Sequence, residues 1–340
     1  MSAVSISNTP PAGWDDYVRS HAGASIYHES RWTLLPARLF GYQPSFLSAR
    51  DPAGTLTGIL PLVRQRGGLG SFLVSLPYFN YAGTLANDPA TRTALITAAF
   101  ALGNELGVKY VQLREEQPAD VPGLREKSDK LAMRLALPAT TEEYGRVLGS
   151  KLRSQIRRAE RETVSTRIGG AELLDDFFAV FCSVMRDLGT PVYPRRFFDA
   201  VFEAAEGRAT LVIVDLAGVP SAAGFLLTYR DSVEIPWAGT VAAAKPKSLN
   251  MKLYWDVLAH CIQRGHKVFD FGRSTVGSGT HKFKEQWGAK PVQLHWLENH
   301  ARPATAGPGR TVELATRLWQ RLPLRAANWL GPMISPGLPW

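Results

Sequence analysis

One order of elements, strands followed by a helix and then a further strand, is predicted twice along the 340 residues of this chain. In the first half, runs of apolar residues predict strands over 56–63 and 72–80. Apolar residues at helical spacing predict a helix over 89–106, and a strand over 108–113 follows. A strand after each helix favours mixed sheets flanked by helices, that is, an α+β fold.

The second half repeats this order with a longer meander. Its strands are predicted over 210–215, 222–229 and 232–238. An apolar stripe then predicts a helix that Asn250 caps and Gly265 ends, followed by a strand over 267–271. Because the order repeats, we expect two tandem domains with a boundary near residue 145.

The predicted organisation is a first domain over 1–145, a second over 146–300 and a tail over 301–340. The tail opens with ARPATAGPGR, which is typical of a linker. Residues 311–334 then form a basic amphipathic segment with arginines among Leu, Trp and Met. Such a segment either lies at an anionic membrane surface or packs its apolar face on the second domain, and the sequence leaves both alternatives open.

The composition is that of a globular protein, with 45% hydrophobic and 20% charged residues. The net charge of +9 favours a polyanionic partner, which includes nucleic acid, a phosphorylated cofactor and an anionic membrane. Cys182 and Cys261 are too few for a disulfide framework and predict a reducing compartment. We find no secretory signal and no run of ~18 apolar residues. We therefore expect a cytoplasmic protein, which would be peripheral on the inner face of the cytoplasmic membrane under the first of the two alternatives for the tail.

The strongest indication of a functional site is the run FDFGRSTVGSGTHKFKEQWGA, residues 269–289. It combines Asp270, Arg273 and Lys284 with a loop rich in glycine and hydroxyl residues, whose backbone amides can approach a ligand closely. We expect Asp270 at the end of a strand, and Phe283 places an aromatic ring beside Lys284. This mixture is typical of a site for an anionic or polarised acyl group.

Two loops are predicted to lead into helix N-termini, where free N–H groups and the helix dipole favour anions. One is 80–83, and the other carries Lys245, Lys247, Ser248 and Asn250. The alternative for the second loop is that its hydroxyl and amide only cap the helix while its lysines are solvated.

Residues 65–70 also fit the Q/R-x-x-G-x-G pattern of acetyl-coenzyme A loops. However, the residues after this segment predict a strand, whereas a pyrophosphate loop of this kind precedes a helix. A hairpin connection is therefore the favoured interpretation.

A short basic helix is predicted over 151–162, with Arg153, Arg157 and Arg161 along one side. These arginines form either a phosphate-binding stripe or an ordinary solvated face.

An aromatic set, Tyr78, Tyr193 and Trp237, lines either an acceptor groove for a sugar or peptide or the hydrophobic core. Asn80 and Arg195 are the polar residues expected beside it. No HExxH, CxxC, GxSxG or Walker pattern is present, so we expect no metal and no serine-elbow chemistry.

Five stretches of this chain occur in the order of a known family. They are LPLVRQRGGLGSFLVSLPYFNYAG, KLRSQIRRAERE, MRDLGTPVYPRRFF, SLNMKLYW and FDFGRSTVGSGTHKFKEQWGA. With their spacing they span about 27–296, and they resemble the FemAB-related branch of the GNAT acyltransferase superfamily. The closest resemblance is to the FemAB-like proteins that accompany exosortase and PEP-CTERM exopolysaccharide systems.

The resemblance implies tandem GNAT-like domains, each a mixed, mostly antiparallel sheet flanked by helices. It also implies transfer of an acyl or aminoacyl group to an amine acceptor, an amino sugar or a peptide, in exopolysaccharide or cell-envelope biosynthesis. The donor would be acyl-CoA or aminoacyl-tRNA, with no tightly bound cofactor. The family ties the lysine at Lys284 to catalysis; Asp270 would then accept a proton or orient Arg273 or Lys284.

Three alternatives stay open. One is an aminoacyl-tRNA-dependent peptidoglycan aminoacyltransferase, although the chain lacks a helical arm and only Arg38 follows Trp32 as a phosphate-binding candidate. Another is a catalytically degenerate scaffold that binds a membrane-associated polysaccharide assembly machine. The third is a nucleic-acid binder that uses the arginines of 151–162.

Overall fold

The computed structural model describes residues 3–68, 70–119, 121–299 and 310–338. Up to residue 127 the elements are β1 (Ala3–Ser7), α1 (Trp14–Ser20), α2 (Ser30–Phe40), β2 (Gln43–Arg50), β3 (Leu56–Gly67), β4 (Gly70–Val74), β5 (Leu85–Ala86), α3 (Pro89–Glu105), β6 (Tyr110–Glu115) and β7 (Arg125–Lys127). The next are β8 (Lys130–Ala136), α4 (Thr141–Val147), α5 (Ser150–Glu160), β9 (Val164–Gly169), α6 (Leu174–Leu188), α7 (Arg195–Ala205), β10 (Ala209–Leu216), β11 (Val219–Tyr229), β12 (Ser232–Thr240), α8 (Leu249–Gln263), β13 (Val268–Thr275), α9 (Gly279–Gln286) and β14 (Lys290–Gln293). The last are β15 (His295–Glu298), α10 (Arg310–Gln320) and α11 (Leu324–Ile334).

These elements form two compact units, each built on a mixed sheet. The first unit comprises residues 1–131, 293–307 and 336–340, and the second comprises 132–292 and 308–335. The first sheet has the order β1-β2-β3-β4-β6-β15-β7, with β5 beside β3, and the second has the order β14-β8-β13-β12-β11-β10-β9. The predicted α+β fold of mixed sheets with helices is therefore present in both units.

The compact units differ from the predicted domains 1–145 and 146–300. The first unit ends at Leu131 because β8 belongs to the second sheet, where it lies between β14 and β13. The first unit also takes up 293–307, because β15 pairs with β6 and β7. The predicted linker, 301–310, lies outside the described residues except for Arg310, and two helices follow it.

The predicted helices and meander are confirmed, with small shifts at their ends. The first-half helix is α3, and β10, β11 and β12 are the predicted meander. Gly265 follows the end of α8 at φ 79°, a backbone conformation that glycine adopts without strain. The 65–70 segment is a hairpin connection in which Gly67 pairs with Gly70, and β4 rather than a helix follows it.

Three local predictions were wrong. The strand expected over 72–80 ends at Val74, since Pro77 lacks an N–H for a sheet and Tyr78 has a φ of 75°. Asn250 lies inside α8, and the N-cap is Ser248. Asp270 lies within β13 and not at its end, because that strand continues to Thr275.

Helix α3 packs closely on β6 through a glycine. A Cβ at Gly103 would lie 2.1 Å from Cγ2 of Val111, whereas a Cβ at Gly145 in α4 would lie 3.6 Å from its nearest neighbour, in Trp255. We expect Gly103→Ala to lower the free energy of unfolding by about 1–3 kcal/mol, the usual cost of overpacking. Gly145→Ala is the matched control, and helix propensity predicts a gain of about 0.5–1 kcal/mol. Denaturant unfolding of the two variants checks this, and equal effects would contradict it.

Candidate active site

Two neighbouring parallel strands of the second unit separate partway along their length. β12 and β13 pair at three positions, Ser232 with Val268, Val233 with Phe269 and Glu234 with Asp270. Beyond Glu234 the register of β12 against β11 shifts, and Pro236 lacks the N–H that a ladder requires. β12 therefore continues to Thr240 without further pairing to β13. We call this separation the fork.

Two carboxylates lie side by side where the fork opens. Glu234 and Asp270 are both buried and occupy paired positions on the two strands. Asp270 accepts hydrogen bonds from the backbone N–H of Gly272 at 2.7 Å and from Nε of Arg134 at 3.0 Å. These donors bind both carboxylate oxygens and therefore hold Asp270 in one orientation.

Lys284, on α9, brings a buried cation to these acids. Its Nζ donates to the carbonyl oxygens of Gly272 at 3.0 Å and Arg273 at 2.8 Å. Burial lowers the pKa of Lys284 to about 8; Asp270 and Glu234 act to raise it, and Arg273 adds to the lowering. An ammonium has three N–H donors, so these two bonds leave a third for a ligand.

A cavity of about 380 Å³ lies at the N-terminus of α8. Its lining residues are Gln155, Ala238, Gly239, Thr240, Lys245, Ser248, Asn250, Met251, Leu253, Tyr254 and Phe283. The first N–H groups of a helix have no partner inside it, and Ser248, in a left-handed conformation at φ 62°, makes no side-chain cap hydrogen bond. With the exposed Lys245, this helix end presents amides, a positive dipole and a cation to one space.

The predicted anion-binding residues are only partly brought together. Lys245, Ser248, Asn250 and the half-buried Phe283 share the cavity, whereas Lys247 forms an ion pair with Glu162 at 2.7 Å.

The other predicted anion loop, 80–83, does not lead into a helix. β5 follows it, and Asp88 already caps α3 by accepting from the N–H of Thr91 at 2.9 Å. An anion at this helix end would have to compete with the carboxylate, so the prediction for 80–83 was wrong.

The aromatic residues expected near an acceptor pack mainly in hydrophobic interiors. Trp237 and Tyr193 are buried, with ring centroids 5.7 Å and 5.1 Å from that of Phe197. In the first unit Tyr78 is buried, and its hydroxyl lies 3.0 Å from that of Tyr42. These positions favour the core interpretation; Asn80, also in the first unit, is half-buried.

The predicted arginines have separate roles. Arg195 forms ion pairs with Asp175 at 2.7 Å and Asp199 at 2.5 Å. Arg153 donates to the carbonyl oxygen of Leu148 at 2.8 Å, which satisfies the C-terminal end of α4. Arg157 is exposed on α5, so the predicted stripe is interrupted at its first position.

The sequence interpretation missed Glu234, Arg134, Gln155 and Tyr254. Glu234 had a signal, since it is a lone acid between apolar residues of a strand, and a buried charge needs a partner. Arg134 approaches Asp270 from β8, a strand far away in sequence, and no local pattern predicts that contact.

Comparisons with known proteins agree with this geometry. Residues 149–285 match a family model described as an acetyltransferase (GNAT) domain, and this segment contains the fork, the cavity and Lys284. A search of the curated proteins found no match. Within the described ranges no cluster of His, Cys, Asp and Glu is placed to hold a metal ion, and no helix is long and apolar enough to cross a membrane.

Several solved structures share the fold. FemX has a TM-score of 0.66 and 11% identity, over 87% of this chain and 97% of that chain. A tandem GNAT protein from the clavulanic acid biosynthesis pathway has a TM-score of 0.55 and 10% identity, over 90% and 100% of the two chains. L-PGS from Bacillus licheniformis has a TM-score of 0.54 and 13% identity, over 94% and 100%. The fold is thus that of tandem GNAT-like proteins, and residues 149–285 are similar to the GNAT acetyltransferase domain.

The lowered pKa of Lys284 predicts a pH-dependent stability. Between pH 8 and its unfolded value of 10.5, Lys284 binds fewer protons in the folded than in the unfolded state. Stability therefore rises with pH across this window and is unaffected by this group at higher pH. Relative to Lys284→Met, the wild-type free energy of unfolding should rise by at most about 3 kcal/mol from pH 8 to 10.5. Denaturant unfolding at several pH values checks this, and parallel profiles would contradict it.

Proposed function

We propose that this protein is an N-acyltransferase of the FemAB/GNAT type, which transfers an acyl or aminoacyl group to an amine acceptor. The observation that carries the proposal is the fork between β12 and β13, with a cavity at the adjoining helix N-terminus. Separated strands leave backbone N–H and C=O groups without ladder partners, and these can bind the extended amide-containing arm of a donor.

The donor phosphates are assigned to the start of α8. The N–H groups of Met251 and Lys252 donate to the carbonyl oxygen of Ser248. Lys245 and the N–H groups of Leu249 and Asn250 are therefore the groups assigned to the phosphates. Both acyl-CoA and the 3′ end of an aminoacyl-tRNA carry phosphates and a reactive carbonyl, so this chemistry fits either donor. Neither is a resident cofactor; each is a substrate.

The transfer step forms a bond from the acceptor nitrogen to the donor carbonyl carbon and breaks the carbon–sulfur bond of a thioester or the carbon–oxygen bond of an ester. Negative charge develops on the carbonyl oxygen, where the third N–H of Lys284 is the assigned donor. Glu234 is the assigned acceptor of the proton that the amine loses. Asp270 and Arg273 are assigned a positioning role. The carboxylate of Asp270 lies beside Glu234, and the backbone carbonyl oxygen of Arg273 accepts a hydrogen bond from Nζ of Lys284.

Tyr254 is the assigned donor of the proton that the leaving sulfur or oxygen gains. Burial raises its pKa to about 12, so its hydroxyl stays protonated at neutral pH and can protonate the leaving sulfur or oxygen. Its position in the wall of the cavity supports this role.

The acceptor is assigned as an amine of an amino sugar or peptide in exopolysaccharide or cell-envelope biosynthesis. The support is the resemblance to FemAB-like proteins of exosortase and PEP-CTERM systems, together with the fold shared with FemX. A cytoplasmic location, where both donors are made, is part of the proposal.

Donor binding is the first test, by calorimetry with acetyl-coenzyme A and with charged and uncharged tRNA. We expect saturable binding of one donor, weakened about tenfold or more in Lys245→Ala, since a charge-assisted contact to phosphate is lost. Lys290→Ala removes an exposed lysine that does not line the cavity and is the matched control. If no donor binds, the scaffold alternative replaces the enzyme.

The second test concerns Lys284. Once a donor is identified, Lys284→Met should lower the transfer rate at least ~100-fold, the scale for loss of a charge-stabilising donor, with donor affinity retained. Circular dichroism controls for folding. A folded variant with the wild-type rate would remove Lys284 from the mechanism.

An aminoacyl-tRNA donor is the second candidate, favoured by the exposed Arg157, Arg158 and Arg161 at the end of α5, the helix that also supplies Gln155 to the cavity. For this donor, affinity should fall steeply with salt, and the slope should become shallower when Arg157 and Arg161 are changed to Ala. Binding of acetyl-coenzyme A together with no binding of charged or uncharged tRNA would exclude this candidate and count against the nucleic-acid binder.

A further inference from the structure

The two C-terminal helices, α10 and α11, pack on α6 of the second unit through small residues. A Cβ at Gly189, which follows α6, would lie 2.4 Å from Cγ2 of Thr316, so α10 approaches the backbone there closely. A Cβ at Gly331 of α11 would lie 2.8 Å from the backbone nitrogen of Val192, and Ala327, one turn earlier, is buried. These close contacts fix the orientation of both helices.

The large apolar residues of the same helices face away from that contact. Leu314 and Leu318 lie two residues from Thr316, and Trp329 and Met333 lie two residues from Gly331. Two residues along a helix correspond to a rotation of about 200°, so each large pair is on the side opposite the packed small residue. The exposed fractions are 58% for Leu314, 57% for Leu318, 69% for Trp329 and 68% for Met333.

This arrangement is the reverse of an ordinary surface helix. The hydrophobic effect normally places the large apolar side chains of an amphipathic helix in the core and leaves small or polar ones outside. One of the two alternatives left open for this segment is observed, since one face packs on the second unit, while the opposite face remains apolar and exposed. Four large apolar side chains are thus exposed on two helices that follow each other along the chain and pack on the same helix α6, and exposed apolar residues of this size indicate a partner.

The charges beside the patch identify the chemistry of that partner. Arg317, Arg321 and Arg325 are exposed and form no ion pair with a described residue, and Glu313 is the one acid among 312–334. Arg325, Trp329 and Met333 follow one another at intervals of four residues, which places a cation directly beside the aromatic and thioether groups. Arginine beside tryptophan and long aliphatic chains suits the boundary between anionic headgroups and acyl chains.

We propose that the exposed face of α10 and α11 is a docking surface for an anionic lipid bilayer. Leu314, Leu318, Trp329 and Met333 enter the acyl boundary, and Arg317, Arg321 and Arg325 contact lipid phosphates. The helices lie in the plane of the surface, since no described helix is long and apolar enough to cross a membrane. This proposal is independent of the transfer reaction.

Co-sedimentation of the full-length protein with vesicles tests the surface. We expect binding to phosphatidylcholine vesicles that contain phosphatidylglycerol, and at least about 10-fold weaker binding to phosphatidylcholine alone. Changing Arg317, Arg321 and Arg325 together to Gln should weaken binding to the anionic vesicles roughly 100-fold. Changing three exposed basic residues elsewhere to Gln, namely Arg146, Arg196 and Lys290, is the matched control and should leave most of the affinity.

The apolar contribution is tested separately. Changing Leu314, Leu318, Trp329 and Met333 to Ser should abolish sedimentation, whereas the same change at the exposed Ile6, Val147, Ile168 and Val219 should not. Trp329→Phe should keep binding but lose the quenching of tryptophan fluorescence by brominated lipid. All variants should retain donor binding, because the cavity residues are unchanged.

Three outcomes would overturn the proposal. The first is wild-type protein that does not sediment with anionic vesicles. The second is a four-serine variant that sediments as well as wild type. The third is concentration-dependent dimerisation, without lipid binding, that the four-serine variant abolishes; a second copy of the chain would then be the partner.

Discussion

The candidate site depends on the interruption of hydrogen bonding between β12 and β13. A continuous parallel ladder would close the sheet, whereas the shift in register and Pro236 stop pairing after Glu234 and Asp270. The groups assigned to the chemistry lie around that opening. Glu234 and Asp270 lie at its base, Lys284 is hydrogen-bonded to backbone carbonyl oxygens of β13, and the N-terminus of α8 follows the end of β12 along the chain. The opening therefore converts part of a structural sheet into a surface that can bind a chain-like ligand.

The buried charged groups at the fork are stabilised by hydrogen bonds. Burial of an isolated ion is strongly unfavourable, and for Asp270 this cost is offset by hydrogen bonds from a backbone amide and from Arg134. Lys284 donates to two backbone carbonyl oxygens, and burial lowers its pKa because Asp270 and Glu234 offset the loss of solvation only in part. Such incomplete compensation costs stability and is characteristic of groups whose proton affinity serves a reaction.

Local patterns in the sequence predicted most elements but few of their long-range contacts. Apolar periodicity was sufficient for α3, α8 and the meander, because each buries one face. The end of the strand after Phe72 and the cap at Ser248 escaped prediction, since positive φ angles at Tyr78 and Ser248 are set by surrounding structure. At the site, Lys245, Asn250 and Phe283 were found from a loop and a motif, whereas Arg134 and Glu234 reach it through strand pairing that no short window shows.

The position of β15 in the sequence determines when the first sheet can be completed during synthesis. This strand lies between β6 and β7 in the first sheet, yet it is encoded after the whole of β8–β14. While the chain emerges from the ribosome, the first sheet must wait with an unpaired edge at β6 until residue 298 has been made. The second sheet waits almost as long, because β8 lies between β13 and β14, and β14 ends at residue 293. Both sheets therefore keep an unpaired edge strand through most of synthesis, β6 in the first and β8 in the second, and such edges are exposed to mispairing.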